Sequence, residues 1–76
     1  MAAYYKIESP IFGSISQINF QAGDSVEEGD ILFILEAMKM FYQVESPSDG
    51  IFHPLVGVGA VVSTDQWIGK VTPHVE

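Results

Sequence analysis

The chain repeats itself. Glu8-Ser9-Pro10 recurs as Glu45-Ser46-Pro47, 37 positions later, and the same offset aligns Gly13 with Gly50, Ile15 with Phe52 and Ile18 with Leu55. Further along, the offset shortens to 36, aligning Gly23 with Gly59, Val26 with Val62, Leu32 with Ile68 and Leu35 with Val71. Each half therefore reads E-S-P, then G-x-φ-x-x-φ, then G-x-x-V, then φ-x-x-φ, where φ is a large apolar residue. A unit of this length cannot bury its apolar face alone, so the two copies must share one core. The φ-x-x-φ spacing breaks strict alternation, as a β-bulge does, and lets two apolar side chains three positions apart face the same interior.

No segment keeps an apolar stripe of helical period, and Gly or Pro recurs too often for a long helix. The expected elements are short strands at Tyr4 to Glu8, Gly13 to Phe20, Ile31 to Ala37, Met40 to Glu45, Gly50 to Pro54 and Trp67 to Thr72, separated by turns such as AGDS, EEGD, SPSDG and VGVGA. The fold class that follows is all-β. The expected arrangement is a flattened β-sandwich of two similar antiparallel sheets related by a pseudo-two-fold axis, with residues 1–76 as a single domain. At the 36 offset Lys39 corresponds to Val75, so the turn from Ala37 to Met40 and the chain termini should lie at opposite ends of the sandwich. Phe52 and Trp67 are expected in the core.

Charge and composition remove several functions. Ten Asp and Glu against three Lys leave a net charge of −7, which repels a phosphate backbone or an anionic membrane. With no cysteine there is no disulfide, thiolate nucleophile or Cys-ligated zinc, and no apolar run is long enough to insert into a bilayer. A chain of this size has a radius of gyration of roughly 11 Å, leaving little interior for a catalytic pocket. A binding or carrying module that is soluble and cytoplasmic is the expectation. His53 and His74 have no ligand or nucleophile at useful spacing. The acidic residues Asp24, Glu27, Glu28 and Asp30 read as a solvated rim, and Lys6 and Lys70 as solvated strand lysines.

The stretch Glu36-Ala37-Met38-Lys39-Met40 stands between two apolar strands yet holds none of the residues that favour hairpin turns. Two methionines around a lysine at a tip either expose apolar area or fold back as flexible core filler. Together with SPIFGSI, QAGDSVEEGDIL and SPSDGIF, the EAMKM motif resembles the biotinyl domain, the biotin carboxyl carrier module of biotin-dependent carboxylases and decarboxylases. The resemblance covers most of the chain and implies the barrel-sandwich hybrid form of the β-sandwich, with the acceptor lysine on a hairpin tip.

What the resemblance implies is specific. Lys39 would carry biotin as an amide on its ε-nitrogen. Glu36, Ala37, Met38 and Met40 match the motif that biotin protein ligase reads. The carried group would take up a carboxyl group at a biotin carboxylase and deliver it at a carboxyltransferase. An ordinary lysine is almost wholly protonated at pH 7, so the domain cannot activate its own nucleophile and is a substrate of the ligase rather than an enzyme. Only SQINFQA separates Ile15 from Gly23, too short for the thumb loop of one bacterial carrier type, and Phe41-Tyr42 stands where many members have Met-Asn. Two alternatives stay open: a lipoyl domain, whose family typically shows D-K-A at the tip, and an unmodified interaction module.

Overall fold

Each repeat folds into four strands. In the computed structural model, which describes residues 3–74, the first repeat supplies β1 (Tyr5–Glu8), β2 (Gly13–Ile18), β3 (Ser25–Val26) and β4 (Ile31–Ala37). The second supplies β5 (Met40–Glu45), β6 (Gly50–Pro54), β7 (Val61–Val62) and β8 (Trp67–Thr72). No helix occurs among the described residues. The strands form two antiparallel four-stranded sheets, ordered β1-β8-β6-β3 and β5-β4-β2-β7. Replacing every strand by its repeat partner converts one order into the other, as the pseudo-two-fold requires. Each sheet takes two strands from each half, so neither repeat can close a sheet without the other. The two-residue strands β3 and β7 are too short to show alternation, and they were not expected from the sequence. The expected strands Tyr4 to Glu8 and Gly13 to Phe20 are trimmed at Tyr4 and after Ile18.

The bulges account for both sequence irregularities. In β4 the register against β5 slips between Ile31 and Phe33, leaving Leu32 as the extra residue. In β8, Trp67 pairs with Glu8 and Gly69 with Ile7, leaving the equivalent Ile68 extra. These are the φ-x-x-φ positions, and Leu32, Leu35, Ile68 and Val71 are all fully buried. A third bulge has no counterpart. Ile15 pairs with Leu35 and Gln17 with Ile34, skipping Ser16, whereas β6 pairs regularly with β8 from Ile51 to Pro54. Ser16 is thus the one additional residue that shortens the offset from 37 to 36. It also corrects one alignment: Ile18 occupies the place of Pro54, not of Leu55, because Asn19 N–H and Leu55 N–H donate to the equivalent carbonyls of Leu32 and Ile68.

Equivalent residues meet in the core: Ile7 and Val44, Ile15 and Phe52, Val26 and Val62, Leu32 and Ile68, Leu35 and Val71 are buried pair by pair. Symmetry is broken where Phe33 corresponds to Gly69. The Phe33 ring packs edge-on against Phe52, centroids 5.5 Å apart, and a Cβ at Gly69 would lie 3.3 Å from Phe33 Cζ. One large ring therefore fills what would be two side-chain positions. Trp67 departs from expectation. It is 38% exposed, on the outer face of its sheet, because the bulge at Ile68 turns Ile68 inward and leaves its neighbour outside.

The E-S-P motif is a polar staple. Ser9 and Ser46 are buried, and each hydroxyl donates to the carbonyl two residues on, Ile11 and Ser48, at 2.7 Å. Their N–H groups donate to Gln66 and Asp30, again an equivalent pair, so the buried polar atoms are satisfied. The motif glycines are set by close approach. A Cβ on Gly13 would stand 2.6 Å from the Glu36 carbonyl oxygen, and one on Gly50 would collide with the Thr72 carbonyl and lie 2.8 Å from Val71 Cγ1.

Candidate functional site

Beyond the bulge at Leu32 the β4–β5 ladder runs in register from Phe33 opposite Val44 to Ala37 opposite Met40, which leaves Met38 and Lys39 as a two-residue turn. Both have positive φ, 52° and 66°. That sign pattern belongs to the type I′ turn, whose twist suits an antiparallel hairpin and whose usual residues are Asn-Gly. Met and Lys have no such preference, and holding each in the left-handed region costs about 1 kcal/mol or more. The strain is held by seven strand residues on one side and six on the other. An observed departure of this kind points to a side-chain requirement at the turn.

The motif residues divide by role. Ala37 is 7% exposed at the last rung of β4, and its Cβ would be only 3.1 Å from a Cβ on Gly13, which explains why both positions are small. Glu36 lies on the outer face, paired with Phe41. Met38 is 92% exposed and Met40 59%, so the methionines are not core filler; Tyr42 Oη lies 4.0 Å from Met40 Sδ. Lys39 is exposed between them. Phe12 was not singled out from the sequence. It is exposed beside Gly13, and so borders the Ala37 end of β4. The only signal for it is its place one residue before the motif glycine.

Within the described residues, the first and last strands put their outer ends together, Tyr5 opposite Val71. By the repeat this is the counterpart of the Leu35–Tyr42 rung below the turn, in the other sheet. Val75, the expected counterpart of Lys39, lies outside the described residues.

Residues 5–71 match the family described as "Biotin-requiring enzyme". The chain belongs to this family. It is a biotin-requiring carrier domain, and biotin is its cofactor. The glutaconyl-CoA decarboxylase subunit gamma of Acidaminococcus fermentans is 53% identical over 34 residues, 45% of this chain and 23% of that protein. The mitochondrial methylcrotonoyl-CoA carboxylase subunit alpha of Rattus norvegicus is 40% identical over 42 residues, 55% of this chain and 6% of that one. The dihydrolipoyllysine-residue acetyltransferase component of the pyruvate dehydrogenase complex of Acholeplasma laidlawii is 36% identical over 59 residues, 78% of this chain and 10% of that protein. A solved single-chain, multi-domain long-chain acyl-CoA carboxylase superposes on 93% of this chain with a TM-score of 0.84 at 25% identity, the match taking up 7% of that chain. This chain thus spans less than a quarter of each.

The carrier domain's tip fits such a cofactor. An exposed primary amine at the apex of a turn can be acylated from any direction, and the flanking apolar methionines offer contact area without competing charge. Replacing Met38-Lys39 with Asn-Gly should raise stability by about 1–2 kcal/mol in urea denaturation, because it relieves the left-handed strain at two positions. A lower stability would show that the tip side chains support the fold after all.

Proposed function

We propose that Lys39 is the biotin attachment residue and that the domain moves the attached group between a biotin carboxylase site and a carboxyltransferase site. The observation that carries this reading is the turn itself. A family member whose tip holds Met38 and Lys39 at positive φ, against the local preference, presents one amine beyond the end of the sandwich. The names of the relatives, a decarboxylase subunit and a carboxylase subunit, support the same class of parent enzyme. Attachment needs a biotin protein ligase, which supplies the activated carboxyl group and the base. The Lys39 amine loses a proton and forms the amide, and the activating group leaves. Glu36, Ala37, Met38 and Met40 are then what the ligase recognises: a small buried residue setting the height of the turn, an exposed carboxylate on its flank and two flexible apolar side chains around the amine.

Once attached, biotin supplies the carboxyl-accepting and carboxyl-donating chemistry. This chain's own contribution is position. Its β4–β5 hairpin holds the amine away from the sandwich, and tethering to a larger enzyme would raise the local concentration of the carried group at each site into roughly the millimolar range. The match to the acetyltransferase component favours a second reading, a lipoyl group on the same lysine. Mass spectrometry of the chain after incubation with biotin, ATP and a biotin protein ligase, and separately with lipoate and a lipoate ligase, tests both. The expected result is one biotinyl adduct, mapped to Lys39. A lipoyl adduct with no biotinyl adduct would replace the first reading by the second.

A further inference from the structure

The two outer faces of the sandwich are equivalent by the repeat but are filled differently. On the β1-β8-β6-β3 sheet, Tyr4 stacks on Trp67 with centroids 5.8 Å apart and planes 4° from parallel. Lys6 Nζ lies 5.1 Å from the Trp67 ring centroid and Lys70 Nζ 5.4 Å from that of Tyr4. Four long side chains thus cover that face. On the other sheet the corresponding residues are Phe41 for Tyr4, Gln43 for Lys6, Ile31 for Trp67 and Ile34 for Lys70. These shorter side chains leave a shallow groove of about 620 Å³, lined by Ser16, Gln17, Ile34 and the β5 residues Phe41, Tyr42, Gln43 and Glu45. Among the described residues no aromatic ring stacks on Phe41, which is 63% exposed. The groove begins two residues past Lys39, on the strand that leaves the turn.

We propose that this groove is the resting site of the biotinyl arm of the same chain; the inference rests on attachment at Lys39 as read above. Reach permits it, since at ~3.4 Å per strand residue Gln43 lies ~14 Å from Lys39, within the span of a lysine side chain lengthened by an acyl chain. The chemistry is complementary. Phe41 and Ile34 offer apolar surface to the thioether ring, while Gln17, Gln43, Ser16 and the Glu45 carboxylate offer donors and acceptors to the ureido N–H and carbonyl groups. The groove is open, so an arm held there is released to a partner without unfolding any part of the sheet. Because the arm is tethered, weak contacts suffice to populate the site.

The test is an NMR comparison of the ¹⁵N-labelled chain before and after biotinylation, with the adduct first mapped by mass spectrometry. The expected result is that biotinylation shifts the amide signals of Phe41 and Gln43 and, across the sheet, of Ile34 and Gln17, with NOEs from the thioether ring to the Phe41 ring. The double variant Ile34→Lys with Gln43→Lys copies the filled face, and there the shifts should shrink to Met38, Lys39 and Met40 in an otherwise folded spectrum. Shifts confined to those three residues in the unaltered chain, or undiminished in the double variant, overturn the resting site and leave attachment standing. An adduct missing from Lys39 overturns attachment, and the resting site with it.

Discussion

Lys39→Arg should leave the melting temperature unchanged and biotin incorporation undetectable. The side chain is exposed at the turn and contributes nothing to the core, and Arg meets the same left-handed backbone with the same charge, so stability should move by no more than ~0.5 kcal/mol. The guanidinium is delocalised and protonated at any working pH, and it offers no amine to acylate. The other two lysines do not substitute for it. Lys6 and Lys70 sit along the face of the opposite sheet, over the Trp67 and Tyr4 rings, and not at a turn. The check is a streptavidin gel shift and a peptide map after incubation with biotin, ATP and ligase, beside a melting curve of the same preparation. Retained incorporation would move the attachment residue elsewhere.

Leu32→Ala and Ile68→Ala should each destabilise the domain by about 2–5 kcal/mol, the range for truncating a fully buried aliphatic side chain. Both are 0% exposed, and both are the extra residue of equivalent bulges, whose backbone has no freedom to close the cavity without losing the register of the neighbouring rungs. Small domains have only about 5–15 kcal/mol in total, and one of this size stands near the lower end. Either variant should therefore retain only about 0–3 kcal/mol, with partial unfolding at physiological temperature where the loss falls at the upper end of the range. Urea denaturation reads the effect, with comparable losses expected at the two sites because each repeat contributes the same position to a shared core. A midpoint unchanged in either variant would mean that the repeat does not reflect common packing.

The repeat carried most of the fold. Two copies of E-S-P, the spaced glycines and φ-x-x-φ were enough to imply an all-β, two-fold arrangement, because those patterns state which side chains must face one interior. They could not state how the halves interlock. Strands β3 and β7 are two residues each, below the length at which alternation is visible, yet each completes an edge of one of the two sheets. Trp67, apolar and in a strand, reads as core in sequence; only the bulge at Ile68 places it outside. The exchange of one Phe33 ring for the space at Gly69 likewise depends on contacts between residues far apart in the chain.

For the site, the division runs the same way. Residue order alone settles the chemistry at the tip, one lysine between two methionines, and the family motif they belong to. It did not determine that Met38 and Lys39 adopt positive φ, since nothing in Met-Lys prefers that region; the ladder from Ile31 to Glu45 imposes it. Nor did it show the groove beside Lys39, which exists because Phe41, Gln43 and Ile34 replace Tyr4, Lys6 and Lys70 at equivalent places on two different sheets. Residue type and spacing are local properties. Which outer face is filled and which is left open is decided only when strands from both halves lie side by side, because a side chain covers the neighbour it meets in space rather than the one that follows it in the chain.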